Sequence, residues 1–562
     1  MKPAIETVDR QQLETILEHA RAALSEQEYQ RLKAAFDTLV YLMQVVENKS
    51  TTIARLRQIL FGAGTEKTAQ VFKAVGEALS AAAESAAPTP DPNPAPPREG
   101  HGRNGAQDYA GATRIKVEHP SLKASERCPA CRKGKLYAAT SPGVLVRVVG
   151  QAPLAATVYE LEKLRCNLCL QVFTAEPPAG VGSEKYDAAA ASMIALLKYG
   201  SGVPFHRLDG LQQSLGIPLP ASTQWEIAEN TAASIKPAFE ELIRQAAQGD
   251  VVYNDDTTMK ILAQRAQPSA AQTAELLEAE RPQRKGSFTS GIVSTREGRS
   301  IALFFTGRKH AGENLADVLT HRAEALGPPI QMCDALSRNL TGPLKSIVAH
   351  CIAHARRRYV DVAPNFPDEC RFVLEILAQV YKNDARCKEQ RSSSAERLQF
   401  HQTHSGPLMT KLQNWLAEQF AQRKVEPNSG LGQAISYMTK HWPELTLFLR
   451  HAGAPLDNNV CEQALKRAIL HRKNALFYKT AKGAYVGDTF MSLIHTCRLA
   501  GTNPFDYLTA LQQHCAALAQ NPEQWLPWNY RETLARIDDS SHPVAPHRDN
   551  SPVSSLARDS LA

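Results

Sequence analysis

The chain has 562 residues, 43% of them apolar, with 64 Lys and Arg against 57 Asp and Glu and a formal net charge of +7. That size suggests about three or four domains with real cores, and the small charge excess permits a polyanionic partner without demanding one. Met1–Glu6 carries no apolar h-region, and no stretch approaches ~18 uncharged apolar residues, so neither a secretory signal nor a membrane span is expected and a soluble cytoplasmic protein is.

Residues 10–60 read as helix. Ser25 and Glu28 have capping-box spacing. Leu32, Leu39, Val46, Ile53 and Leu60 recur every seventh residue; the companion position holds Phe36 and Met43 and then fails at Ser50 and Arg57. The pattern fits a coiled coil, leucine-zipper-like, and equally an amphipathic helix packed on its own chain. Residues 1–85 are therefore expected to form a helical region. Six prolines between Pro88 and Pro97 forbid helix or sheet and mark 86–105 as an extended linker. The Ser-, Pro- and Asp-rich stretch 538–562 reads as a disordered tail.

Eleven cysteines in a long chain without an export signal do not suggest a disulfide framework. Four of them form two Cys-x-x-Cys knuckles, Cys128/Cys131 and Cys166/Cys169, which suit a tetrahedral, structural Zn²⁺. Strand-like sequence at Gly143–Val149 and Ala156–Leu164 lies between the pairs, so 106–180 reads as a zinc ribbon with a long excursion. Two unrelated buried pairs, or a redox pair, are the blander alternatives.

Within 181–245, Phe205–Ser214 suits a short helix with Leu208, Leu211 and Leu215 on one face and Gly216 at its C-terminus. Ser222 or Thr223 is placed to cap a second helix. The pair has helix-turn-helix form, although most helix hairpins bind no DNA.

From 246 to 490 the order is strand, strand, strand, helix, strand, strand, a helical stretch near 365–450, and a last helix. The strands are expected at Val251–Thr257, running into acids, Ser287–Thr295, Ser300–Thr306, Pro329–Asp334 and Ile347–Ile352, with a helix over Ala311–Leu326 and a last one over Val460–His471, capped by Asp457 and Asn458. Asp255 and Asp334 end the first and fourth strands, and Glu462 sits one turn inside the last helix. That is the layout of a ribonuclease-H-like α/β fold, in which three clustered carboxylates repel one another unless cations lie between them. Two Mg²⁺ ions (or Mn²⁺) would satisfy them and support in-line phosphoryl transfer. Taken singly, each acid reads more simply as a turn residue, a cap or a solvated helical glutamate. Arg356, Arg357, Lys466, Arg467, Arg472 and Lys473 cluster beside these acids and fit contacts to DNA phosphates, against the alternative of a solvated basic face. Residues 491–537 read as a C-terminal helical segment.

Several stretches resemble the DDE transposases of the insertion-sequence-66 family. Arg57–Gly62 with Thr65-Glu66-Lys67 is similar to the segment that closes that family's leucine-zipper region. Asn254-Asp255-Asp256-Thr257 resembles its Asp-Glu-Thr motif, and Cys351–Arg357 its Cys-x-Ala-His-Ala-Arg-Arg motif; Cys351 and His354 read as supporting residues that brace the site, with a second metal pair as the alternative. Pro455–Lys466, followed by Arg472-Lys473-Asn474, resembles its final block, with Asn458 and Asn459 beside the Glu that completes the triad. Asp256 stands where Glu is usual, so either Asp255 or Asp256 is a candidate metal ligand, and only one of two neighbours on a strand points inward. Met332–Ser337 lacks the usual pattern around the second acid, and Cys461-Glu462-Gln463 departs from Ala-Glu-Arg.

The resemblance implies a bacterial, nucleoid-associated transposase. It would cleave and join DNA at the terminal inverted repeats of an insertion sequence, as a homo-oligomer, with target DNA and accessory transposition proteins as partners. An inactive DNA-binding relative, a ribonuclease-H-like nuclease without strand transfer, and a zinc-ribbon regulator are the alternatives.

Overall fold

The computed structural model describes residues 121–137, 152–165, 171–182, 184–264, 286–342 and 346–541, with Tyr29, Lys33, Arg114, Ile115, Leu145 and Cys169 besides. The heptad seam, the Pro-rich linker, Cys166, most of Gly143–Val149 and the tail beyond Ser541 lie outside the described residues. The chain divides into two compact units, Met1–Ala83 and Glu84–Ala562, and both cysteine pairs and all three candidate acids belong to the second.

Strands β1 (Lys163–Arg165) and β2 (Val172–Thr174) pair antiparallel, and Cys169 lies in the sequence between them. Residues 156–162, expected as strand, are irregular, and of the expected run only Lys163 and Leu164 are strand, in β1, which precedes Cys169.

Four helices follow: α1 (Ala188–Ala195, running into a π turn at Leu196–Gly200), α2 (Phe205–Ser214), α3 (Ala221–Ser234) and α4 (Lys236–Ala247). Leu154, Ile194, Leu208 and Leu219, with Ile227 packed against them, make a core shared by α1, α2 and α3. Gly216, at φ +74°, takes the left-handed position that lets the chain leave α2. Two details differ from expectation. Leu208 is buried, but Leu211 and Leu215 are about half exposed. Ser222 and Thr223 lie inside α3, which starts after Pro220, and the Asp209 carboxylate of α2 accepts from the Ala221 amide (3.3 Å) in place of a local cap.

The centre is a five-stranded mixed sheet, β3 (Val251–Met259), β4 (Ser287–Arg296), β5 (Arg299–Gly307), β6 (Ile330–Cys333) and β7 (Ile347–His350), in spatial order β5-β4-β3-β6-β7. β3–β4 and β4–β5 are antiparallel, with Gly298 at the tight turn; β3–β6 and β6–β7 are parallel. Buried aliphatic residues such as Val252, Ile292, Val293, Leu303 and Met332 form its core. Helix α5 (Ala311–Leu319) stops seven residues short of the expected Leu326. There the Arg322 guanidinium donates to the carbonyls of Gly327, Ala247 and Gly249 (2.7–2.9 Å), which draws the chain out of the helix. β7 likewise ends at His350, and Ile352 begins α6 (Ile352–Val362) instead of extending the strand.

A helical arm follows: α7 (Pro367–Glu389), α8 (Ser394–His404), α9 (Gly406–Ala421), α10 (Gly430–Lys440) and the short α11 (Trp442–Leu445). The chain then returns to the sheet as α12 (Asn459–Ala475), which lies over β3 and β4. A Cβ at Gly291 of β4 would press on the Leu465 side chain at 2.9 Å, so glycine there permits the close approach. Helix α13 (Ala481–Leu499) spans the domain boundary expected at residue 490; α14 (Pro504–Gln513), α15 (Cys515–Gln520) and α16 (Tyr530–Ser541) complete the described chain, the last running into the stretch read as tail.

Helix α13 closes the β5 edge in a specific way. Thr496, Ser492 and Asp488, four residues apart, accept from the amides of Ala302, Phe304 and Thr306, two residues apart, at 3.1, 2.9 and 2.6 Å. Four helical residues rise ~6 Å and two strand residues ~6.6 Å, so the two periods match over this length. An edge that could pair with another chain is thereby satisfied by side chains.

Candidate metal centre

Asp255 lies on β3 and Asp334 directly after β6. Tyr253 pairs with Met332, and carrying that parallel register two residues on sets Asp255 level with Asp334. β6 and β7 stop there while β3 continues to Met259, which opens a crevice at the carboxyl ends of the parallel strands, the usual place for a ligand in such sheets. The Asn339 side-chain amide bridges the two acids, donating to Asp334 Oδ1 (2.5 Å) and Asp255 Oδ1 (3.3 Å). Burial, aided by the charges of Asp334 and Asp256, pushes the Asp255 carboxyl up to about 6.

The adjacent Asp256 points the other way. Its carboxylate meets His310 Nδ1 (2.7 Å) at the start of α5 and Arg338 (3.5 Å). Strand alternation thus divides the acid pair: Asp255 shares the Asn339 amide with Asp334, and Asp256 is committed to two basic side chains.

Glu462 stands in the first turn of α12, with Oε1 3.8 Å from His354 Nε2. His354 and Asp334 line one cavity of 340 Å³, whose walls include Leu336, Arg357, Arg358 and Tyr437. The helix start is fixed from below. Asn458 donates from Nδ2 to the Asn254 carbonyl (3.2 Å), while the Asp457 carboxylate accepts from the Asn459 amide (3.1 Å). So Asp457, not the Asn458 side chain, caps α12. Asn254 and Gln331 both donate to the Asn339 carbonyl (2.7 Å each), and Gln331 also donates to Asn254 Oδ1 (3.0 Å). These four amides, Asn254, Gln331, Asn339 and Asn458, are fully buried. Asn339 was not legible as a site residue; its only signal is a polar side chain five residues beyond Asp334.

Donor atoms of Cys351, His354 and Glu462 lie within 4.8 Å of one another. Cys351, however, is buried, its thiol is pushed up to about 12 by desolvation, and its sulfur accepts from the Asn458 amide (3.3 Å), so it braces α12 as a neutral group. Glu462 and the two aspartates supply hard oxygen donors of the kind Mg²⁺ takes.

Of the basic residues, Lys466, Arg467 and Lys473 on α12 and Arg357 on α6 are not buried, and Arg356 is half-buried. Arg472 donates to Thr257 Oγ1 (3.0 Å), the Thr258 carbonyl (2.5 Å) and Thr258 Oγ1 (2.7 Å), so it ties α12 to the end of β3.

At the first cysteine pair the Gly134 amide donates to Cys131 Sγ (3.5 Å), the Cys128 amide to the Gly134 carbonyl (2.7 Å), and an Arg127–Lys135 bridge closes the turn. Amides of Gly134 and Lys133, with Cys128, lower the Cys131 thiol, which favours the thiolate a metal needs. Cys128, Cys131 and Cys169 are free thiols.

The sequence model of the Transposase IS66 family matches residues 185–486, more than half of the chain. The chain belongs to this family. The matched span runs from just before α1 to the first turns of α13 and takes in Asp255, Asp334 and Glu462. The chain is also similar to Uncharacterized protein y4jD of Sinorhizobium fredii (strain NBRC 101917 / NGR234), 25% identical over 356 residues, which are 61% of this chain and 66% of that relative. Uncharacterized protein y4hP of the same strain is 25% identical over 396 residues, 66% of this chain and 68% of its own. The chain thus spans about two thirds of the length of the curated relatives it matches. Among the described residues no helix is long and apolar enough to cross a membrane.

Proposed function

We propose that this protein is a DDE-type transposase in which Asp255, Asp334 and Glu462 hold two divalent cations, Mg²⁺ or Mn²⁺, on a ribonuclease-H-like sheet. The observation that carries the reading is the register of β3 against β6, which sets two carboxylates side by side at an open strand end with a raised Asp255. Two acids so placed repel each other, and a cation between them relieves both that repulsion and the burial of Asp255. Divalent ions held by Asp255, Asp334 and Glu462 would supply activation of an attacking oxygen and stabilisation of a leaving one, the chemistry that in-line phosphoryl transfer needs for hydrolysis and for joining. The chain's own part is to fix the acids. The buried amide network holds Asn339 and the start of α12, and Gly291 lets α12 bring Glu462 down over the sheet.

Lys466, Arg467, Lys473 and Arg357 would contact phosphates of double-stranded DNA, the element's terminal inverted repeats and the target. Arg472 and the half-buried Arg356 would act from within the site. Helix α3 carries Ser222, Glu226 and Asn230 and no Lys or Arg. In a helix-turn-helix role with α2 it would therefore contribute contacts to base edges, with phosphate contacts made elsewhere. Cys128, Cys131, Cys166 and Cys169 would hold a structural Zn²⁺ beside the β1–β2 hairpin, and the heptads of 1–85 would pair two copies so that two ends can be joined.

The test is a cleavage and strand-transfer assay with Mg²⁺ on DNA carrying the inverted repeats that flank the gene. Asp255→Asn, Asp334→Asn and Glu462→Gln should each abolish product; equal product from wild type and Glu462→Gln rejects the assignment. A second reading, a DNA-binding relative without chemistry, is favoured by Asn339, whose amide already sits between the two aspartates. It predicts tight binding of the repeats and no Mg²⁺-dependent product from the wild type.

A further inference from the structure

His350, His441 and Glu444 meet where β7 packs against the helical arm. Each offers one donor atom, and these atoms all lie within 4.8 Å of one another. His350 is only 6% exposed, and neither of its ring nitrogens has a hydrogen-bond partner. A buried imidazole left without a partner costs free energy that proteins rarely concede. His441 ends α10, and Glu444 follows three residues later in α11, a spacing that puts both on one side of the turn packed against β7. The rings of His350 and His441 stand edge to face, with centroids 5.0 Å apart.

We propose that these three residues form a binding site for a divalent transition metal, zinc foremost. Two imidazoles and one carboxylate are a donor set zinc accepts, with the fourth position left for water or another ligand. Donors around a tetrahedral zinc lie ~3.3 Å apart. Small rotations of the half-exposed His441 and Glu444 close the remaining gap onto the fixed His350. The metal would clamp the end of β7 to the helical arm. Cys333 pairs with His350 in the β6–β7 ladder, and the next residue is Asp334. On the other side His441 packs on Tyr437 (4.9 Å), which with Arg358 stacked on it (3.9 Å) walls the Asp334 cavity. The clamp is therefore a positioning device for that cavity, made from residues that none of the three acids supplies.

Zinc content of the full chain, dialysed in excess Mg²⁺, tests this. His441→Ala and Glu444→Gln, both at half-exposed positions, should each hold one zinc fewer per chain than the wild type. In the Co²⁺-loaded protein, the spectrum lost in both variants should show ligand-field bands without thiolate charge transfer, which separates this site from the cysteine pairs. The wild-type melting temperature should rise with zinc, and this increment should shrink in the variants. Unchanged zinc content in either variant overturns the three-ligand site. Neither outcome bears on the acids, because the assay reads bound metal and not DNA products.

Discussion

Two aspartates with raised carboxyls meet the same sheet, Asp255 half-buried on its central strand β3 and Asp488 buried on α13 against the edge strand β5, and they do opposite things. At the β5 edge, Asp488 is enclosed, and burial pushes its carboxyl up to about 8 although the Thr306 amide and hydroxyl (2.6 Å each) pull the other way. At the β3–β6 opening, Asp255 is raised to about 6, with another acid beside it and a cavity nearby. Both are perturbed, yet of the two only Asp255 stands level with a second carboxylate, Asp334, which lines an open cavity. A shifted carboxyl alone therefore does not mark a functional group; what separates the two is whether its acceptor capacity is already spent on the protein.

The sharpest way to break that contrast is by substitution. Asp255→Asn should cut strand-transfer product by about 100- to 1,000-fold or more, whereas Asp488→Asn, which can keep a bond to Thr306, should leave product within about 3-fold. Comparable losses from both would erase the distinction.

A second measurement uses pH. Cations bind the ionised carboxylate, so Mg²⁺ affinity should fall up to about tenfold per pH unit below the Asp255 value of about 6 and level off above it. Asp488 acts with the reverse sign. Its folded carboxyl is raised above the unfolded value of 3.8, so the stability it contributes is greatest at low pH and is lost as pH climbs towards about 8. Denaturant melts of Asp488→Asn should lack this decline, which is at most about 1.4 kcal/mol per pH unit.

Packing supplies a third probe. A Cβ at Gly312 of α5 would overlap the Leu340 carbonyl next to Asn339. Gly312→Ala should cost about 1–3 kcal/mol and shift Asn339, with loss of Mg²⁺ affinity; the same substitution at the open Gly210 should leave Mg²⁺ affinity unchanged. The smallest effect belongs to the solvent-facing cations. Lys473→Ala should weaken DNA binding uniformly across sequences and reduce the salt slope by about one, while Arg472→Ala should chiefly lower the melting temperature, because it releases α12 from β3.

Much of the sheet was legible because its strands carry β-branched and aromatic runs bounded by turns. β4, β5 and β6 fall within a residue or two of expectation, and α2 coincides with it. The ends of α5 and β7 were not, because Arg322 and the turn into α6 act through partners that local periodicity does not contain. The crossing of α13 onto β5 was likewise illegible, since Thr496, Ser492 and Asp488 look like ordinary helix residues until the amides of Ala302, Phe304 and Thr306 are opposite them.

The same division holds for the site. By itself the sequence determined that Asp334 closes its strand, the family to which the final block around Glu462 belongs, and that only one of Asp255 and Asp256 can face inward, because alternation and motif order are properties of the chain; Asp255, expected at a strand end, lies inside β3, which pairing with β4 carries on to Met259. Which of the two meets Asp334, that Asn339 stands between them, that Cys351 braces α12 as a neutral thiol, and that His350 finds His441 and Glu444 were decided by the tertiary structure alone. Each depends on side chains brought together from distant strands and helices, where register, burial and charge are set only once the sheet has closed.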